Sequence, residues 1–277
     1  MPELPEVETM RRGLAPLAGR TISAVRQPRC RYRPIRVQPP IASLRRRLVG
    51  QTISALQRYG KRLVLALESG DFLAIEPRMT GLVLLADPPD PHHVRLQLEF
   101  GGQPPLKLIF WDRRGLGTVR LYAAREPTPW AENRLGPDAL EISWQELAAR
   151  LGRSRRAIKV ALLDQVVLAG VGNLYASEAL YLARLDPRAP CSKITAGQWR
   201  ALAAALRRVL RQAIRYEGST LADGTYRNAL NQSGSYQNHH RVYNRAGLPC
   251  RRCQTPVERI VQAQRSTFFC PHCQHSV

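Results

Sequence analysis

Apolar residues recur three and four apart at Val7, Met10 and Leu14, which predicts a helix over residues 5–18. Pro5, just inside its start, suits a first helical turn, where a missing N–H costs nothing. Beyond this helix and up to residue 125 the apolar runs shorten or alternate. TISAV, GQTISALQRY, RLVLALES, FLAIEP, GLVLLA, VRLQLEF, LKLIFW and GTVRLYA each read as a strand. SGD, ADPPDP and GGQPP punctuate them, so the expectation is an antiparallel sandwich or barrel with tight turns. REPTPWAENRLGPDALE reads as a hinge. From Ser143 the period becomes helical, in WQELAARLG, RAIKVALLDQ, LYASEALYLARL and TAGQWRALAAALRRVLRQAIRYEG. Residues 218–240 (GSTLADGTYRNALNQSGSYQNHH) keep neither period and read as a long loop, a kind of segment that often carries function. The fold class expected is α+β, with strands first and helices after.

Charge narrows the partner. Across 277 residues, 42 Lys and Arg face 21 Asp and Glu, a net charge of +21 at pH 7. With 44% hydrophobic residues this is a folded protein and not a basic tail. Such an excess points to a polyanion, nucleic acid before a membrane surface. The start, MPELPEVE, is acidic and has no secretory pattern. The most apolar stretch, Val160 to Leu182, is broken by Asp164 and Glu178, so no membrane span is expected and a cytoplasmic protein is. Only four of the 42 cations are lysine: Lys61, Lys107, Lys159 and Lys193. Compositional bias explains that; it also makes each remaining amine a candidate for chemistry, since arginine offers no neutral form.

Cys250, Cys253, Cys270 and Cys273 are spaced C-x2-C-x16-C-x2-C. Two such knuckles form a tetrahedral thiolate site for one structural Zn2+. Two disulfides are the competing reading, which a reducing compartment disfavours. Cys30 and Cys191 stand alone and read as structural. At the other end, methionine is normally removed before a small second residue, which exposes Pro2 as a secondary amine. Glu3, Glu6 and Glu8 follow it. A helix N-terminus lowers an amine's pKa, and a secondary amine that attacks a sugar C1′ yields an iminium ion, an electron sink for elimination. An acidic helix start with an early proline explains the same residues without chemistry.

Taken together, these strings resemble the formamidopyrimidine-DNA glycosylase family, essentially end to end. The resemblance is carried by PELPEVET, Lys61 in YGKRLVLAL, MTG at 79–81, LGPDAL at 135–140, AIKVALLDQ…AGVGNLYASEAL at 157–180, and the finger with QRSTFFC. Leu4 favours this branch over the related endonuclease VIII branch, which usually has Gly there. The resemblance implies an N-terminal antiparallel β-sandwich flanked by helices over 1–126 and a hinge over 127–142. It implies a helical domain with a helix–two-turn–helix and a lesion-capping loop over 143–240, and a zinc finger over 241–277. It implies a monomeric, bacterial, cytoplasmic and nucleoid-associated enzyme, a bifunctional glycosylase and abasic-site lyase. Its partner would be damaged double-stranded DNA, bound between the domains.

By the same resemblance, Pro2 is the nucleophile, Glu3 the proton donor on the sugar ring oxygen, and Glu6 a support. Lys61 contacts phosphate beside the lesion and assists β-elimination. Arg265 grips phosphate and is associated with δ-elimination. A flipped base leaves a hole to fill; Met79, Arg114 and Leu116 match the family's filling residues, Leu116 standing where Phe is usual. Arg113 is the other register for the arginine. Asn173 in GVGN and Lys159 match the helix–two-turn–helix phosphate site, and such glycine turns present free N–H groups. Ser219 and the amides after it fall in the loop over the flipped base. His93 aligns with a DNA-contacting histidine, with His92 in place of a second one. Glu76, Pro77 and Arg78 replace a His-Leu-Gly or His-Leu-Arg pattern, and Asn244 replaces a finger glycine. A sibling with oxidised-pyrimidine or hydantoin preference is the near rival. A non-catalytic zinc-ribbon nucleic-acid-binding protein is the far one.

Overall fold

A computed structural model describes residues 2–126, 128, 135–221 and 224–275. Met1 and most of the expected hinge's first half lie outside the described residues. The chain divides into two compact units, Met1–Ala131 with Tyr216–Gln237, and Glu132–Arg215 with Asn238–Val277. Residues 216–237 thus group with the first unit, and the finger residues with the second.

The first unit opens with α1 (Leu4–Gly13). Its buried face is the predicted one, with Val7 and Met10 inaccessible to solvent. The helix is shorter than expected because Pro16 has no N–H to donate to Arg12, and the chain continues as a single 3-10 turn over Ala15–Leu17. Nine strands follow: β1 (Ile22–Arg26), β2 (Arg36–Gln38), β3 (Ile53–Tyr59), β4 (Arg62–Leu67), β5 (Phe72–Glu76), β6 (Gly81–Leu84), β7 (Val94–Phe100), β8 (Leu106–Asp112) and β9 (Thr118–Tyr122). One sheet has the order β1-β7-β8-β6 and the other β2-β9-β5-β4-β3. The pairings are antiparallel except β2 with β9, which is parallel. Leu63, Leu65, Leu73, Ile75, Leu96, Leu98 and Val119, from both sheets, share one core with α1. Val64, Ala74 and Tyr122 lie on the opposite face of the five-stranded sheet. That is the period of two the sequence displays. The strand pattern omitted two elements. One is β2. The other is α2 (Ile41–Leu48), whose Leu44 and Leu48 are buried and which packs on β1 and β2.

The second unit holds α3 (Trp144–Leu151), α4 (Ile158–Leu162), α5 (Asn173–Leu182) and α6 (Ala196–Arg215). On α6, Trp199, Leu202, Leu206, Val209 and Ala213 form one buried stripe at helical spacing. The finger adds a hairpin, β10 (Glu258–Gln262) and β11 (Arg265–Phe269). Its strands join at Ala263 and Gln264, both at positive φ, as a tight two-residue hairpin turn requires. No helix among the described residues is long and apolar enough to cross a membrane.

Candidate active site and nucleic-acid interface

Pro2 is buried, directly ahead of α1. Glu3 is the N-cap residue, 3% exposed, and its N–H donates to Glu6 Oε2 at 2.9 Å. Glu6 Oε1 accepts the Ser219 N–H at 2.9 Å, and the Tyr226 hydroxyl donates to the Glu6 carbonyl at 3.5 Å. Burial first, and then the Glu6 carboxylate, push the Tyr226 hydroxyl well above the phenol range, so it stays a neutral donor. The segment 216–237 thus closes on the first turn of the helix that Pro2 precedes. Gly218 makes this possible: at φ +81°, its Cβ would lie 2.9 Å from Glu6 Oε1 and 2.8 Å from the Tyr226 ring. The amides expected to face a base are engaged here, Ser219 by Glu6 and the Thr220 N–H by Gln237 Oε1 at 3.0 Å.

Lys61 follows Gly60 in the two-residue turn between β3 and β4 and is half-buried. A connection that the sequence did not reveal sets this turn against α1. Glu8 accepts from Arg11 and Arg12 at 2.8 Å, and from Arg58 at 3.2 Å. Arg58 also donates to the Gly60 carbonyl at 3.0 Å. Burial alone would raise the Glu8 pKa, but the three guanidinium groups overcome it and hold the carboxyl at about 2. Glu8 is therefore a fixed anion that braces the turn of Lys61, and only Glu3 and Glu6 of the acidic trio stand at the helix start.

Met79 lies in the β5–β6 turn and is 39% exposed. Arg114 and Leu116 lie in the β8–β9 loop, which Asp112 organises from full burial. Its Oδ1 accepts from the Thr80 hydroxyl at 2.5 Å and the Arg114 N–H at 3.2 Å, and its Oδ2 from the Gly117 N–H at 2.7 Å. One carboxylate so ties the Met79 turn to the Arg114 loop. Arg95, itself buried, supports the loop from below through the Asp112 carbonyl at 2.7 Å. Gly115, at φ +61°, fits where a Cβ would meet the Arg33 carbonyl at 2.1 Å. The two registers for the arginine separate here. Arg113 donates to Thr225 Oγ1 at 3.2 Å, whereas the exposed Arg114 guanidinium has no partner among the described residues. His93 sits with its ring 4.6 Å from Tyr32 and edge-on to Trp111. Its buried Nδ1 has no hydrogen-bond partner among the described residues.

In the second unit, Lys159 is 1% exposed. Its ammonium donates to Asn173 Oδ1 and Thr267 Oγ1, both at 2.6 Å, and to the Ser266 carbonyl at 3.1 Å. The Asn173 side chain donates to the same carbonyl at 2.9 Å. Lys159 thus acts as a buried junction between α4, the start of α5 and the hairpin, and it orients Asn173. Gln165, which the sequence did not mark, shapes the glycine turn through the Gly170 N–H and the Val171 carbonyl. Arg265, next to Ser266, is exposed and has no partner among the described residues.

The four cysteine sulfurs lie within 4.8 Å of one another. Cys250 and Cys273 are 3.9 Å apart, and Cys253 and Cys270 3.5 Å. Thiolates about 2.3 Å from a tetrahedral zinc stand about 3.8 Å apart, so this set fits one structural Zn2+. Asn244, in place of a glycine, takes φ +57°, which asparagine tolerates better than most residues. Glu178, fully buried on α5, also escaped the sequence reading: it accepts the N–H groups of Arg241, Val242 and Tyr243, each at 2.9 Å, and so anchors the segment entering the finger.

Residues 1–119 match the family model of the formamidopyrimidine-DNA glycosylase N-terminal domain, 135–224 its H2TH domain, and 247–275 the zinc finger found in FPG and IleRS. The chain is 42% identical over 279 residues to the formamidopyrimidine-DNA glycosylase of Solibacter usitatus, covering 99% of each. It is similar to the crystal structure of the MutM (Fpg) protein from Thermus thermophilus (TM-score 0.85, 41% identity, 100% of both chains). It is also similar to a Lactococcus lactis Fpg mutant in complex with Fapy-dG-containing DNA, with TM-score 0.88 and 32% identity over 99% of this chain and 100% of that one. Three family models in order along the chain, with a full-length relative at this identity, place the chain in the formamidopyrimidine-DNA glycosylase family.

Proposed function

We propose that the protein excises oxidised purines, 8-oxoguanine and formamidopyrimidines, from duplex DNA and then cleaves the strand at the abasic site. The observation that carries this reading is the buried Pro2 ahead of a helix whose first turn locks Glu3 to Glu6 and Glu6 to Ser219. A structural helix start has no need of a loop folded onto its acidic end.

In this reading the Pro2 nitrogen attacks C1′. The glycosidic electron pair leaves with the base, which takes up a proton, while Glu3 protonates the opening sugar ring oxygen. The resulting iminium acidifies the C2′ hydrogen; its removal and loss of the 3′ phosphate complete β-elimination, and loss of the 5′ phosphate completes δ-elimination. Lys61 holds a phosphate beside the lesion and assists the proton transfers, and Arg265 grips phosphate in the later step. Met79, Arg114 and Leu116 fill the space left by the flipped nucleotide. Ser219 helps close the site, and His93 and Asn173 meet the backbone. Lys159 acts through Asn173. Zinc holds the finger in shape and supplies no step. The enzyme would act in the cytoplasm on nucleoid DNA. Excision from duplexes carrying 8-oxoguanine, formamidopyrimidine or thymine glycol tests the substrate class. Faster excision of the two purines is expected, and preferential excision of thymine glycol would overturn the assignment.

A further inference from the structure

The outer face of the five-stranded sheet carries a group of arginines that the mechanism does not use. Alternation puts Val37, Ile75, Leu63 and Val119 against the core, so Arg36, Glu76, Arg62, Thr118 and Arg120 point the other way. Arg36, Arg62, Arg78 and Arg120, together with Glu76, line a cavity of about 190 Å³. About 10–15 Å³ of such space holds one water, so the cavity has room for a phosphate group and part of its hydration. Glu76 is 3.5 Å from Arg62 and 3.4 Å from Arg78, and Glu126 pairs with Arg120. Four guanidinium groups against two carboxylates leave two positive charges in one concavity. The Arg36 guanidinium has no hydrogen-bond or ion-pair partner among the described residues. Arg78 holds φ +57°, a left-handed conformation that a non-glycine residue keeps only where its surroundings fix it. Arg62 directly follows Lys61, and Arg78 directly precedes Met79, so the cavity continues from two of the positions assigned to DNA.

We infer that Arg36, Arg62, Arg78 and Arg120 form a binding site for a phosphodiester of the DNA backbone, with Glu76 as the residue that gathers Arg62 and Arg78 around it. The inference rests on the DNA-binding reading above. It also gives Glu76 a part: its carboxylate holds Arg62 at 3.5 Å and Arg78 at 3.4 Å and neutralises two of the guanidinium groups until the anion arrives. Planar, multidentate guanidinium groups suit such a ligand better than ammonium would.

The test is binding of the full-length protein to an undamaged duplex, followed by fluorescence anisotropy at several salt concentrations, for wild type, the double variant Arg36→Ala/Arg120→Gln, Arg265→Ala, and Arg150→Ala as a control on α3. The double variant is expected to bind about tenfold more weakly. Its plot of log K against log salt should be flatter by about 0.9, the contribution of one phosphate contact. Arg150→Ala should leave the slope unchanged. An unchanged slope and affinity in the double variant, with Arg265→Ala still weakened, would overturn this site while leaving the proposed function intact. Failure of the wild type to bind duplex at all would instead overturn the DNA reading. Inorganic phosphate at matched ionic strength separates the sources: if it raises the wild-type Tm but not the double variant's, and duplex binding is unaffected, the cavity takes free phosphate and the inference fails.

Discussion

Among single residues, the acidic trio behind Pro2 shows what a sequence can and cannot sort. Three carboxylates within six positions read as one acidic helix start, yet they divide by neighbour. Glu3 and Glu6 stay at the helix start, while Glu8 is drawn to Arg11, Arg12 and Arg58. Arg58 is fifty residues away in sequence, and nothing local announces it. Glu8 titrates near 2 against 4.5 in the open chain, so its contribution to stability is complete above pH 4.5 and is lost as pH falls toward 2. With the side chain's residual solvation allowed for, that contribution is about 2 kcal/mol. Glu8→Gln is expected to lower stability by about that amount at pH 7 and to flatten the pH dependence between 4.5 and 2, as measured by urea unfolding. An unaltered profile would mean the three arginines do not depend on the charge. Asp112 was equally hidden, because WDRRGLG displays its arginines and glycines, while the carboxylate that orders them reads as one more turn residue.

At the scale of elements, most of the helices and strands were legible from period alone. The elements missed were short. β2 has three residues and pairs at a sheet edge, and α2 has two buried leucines in a string of arginines, where charge masks the helical spacing. Residues 218–240 read as a long loop, but the order within them was invisible, since it depends on side-chain to backbone bonds and not on a period. Asn228 Oδ1 accepts the Leu230 and Gln232 N–H groups, and Thr220 Oγ1 donates to the Tyr226 carbonyl while accepting the Gly234 N–H. Gly218 is the position where this loop touches α1. Gly218→Ala combines a left-handed backbone with a Cβ 2.9 Å from Glu6, and is expected to cost about 2 kcal/mol. Single-turnover excision should fall at least tenfold even where thermal denaturation shows the protein folded. Wild-type excision by a folded Gly218→Ala protein would mean that closure of the loop on Glu6 is irrelevant to the reaction.

For the whole molecule, the charge of +21 announced a polyanion and the cysteine spacing announced a metal, both at full strength in the sequence. Which unit the non-periodic segment joins was not announced, because strand and helix periods say nothing about it. Zinc removal tests how the parts depend on one another. The finger's core is built on the cysteines themselves together with Tyr181, Val242, Val257 and Phe268. Chelation should therefore loosen the hairpin that carries Arg265, abolish most duplex binding, and be reversed by added zinc. Full activity in protein shown by metal analysis to be zinc-free would remove the finger from the account. The central claim, that the Pro2 nitrogen forms the covalent intermediate, has a more direct test. Protein whose N-terminus is verified as Pro2 is incubated with an 8-oxoguanine duplex and borohydride, and digested for mass spectrometry. The account predicts a reduced DNA adduct on the N-terminal peptide, at Pro2; absence of any adduct, or an adduct mapped to Lys61, would contradict it.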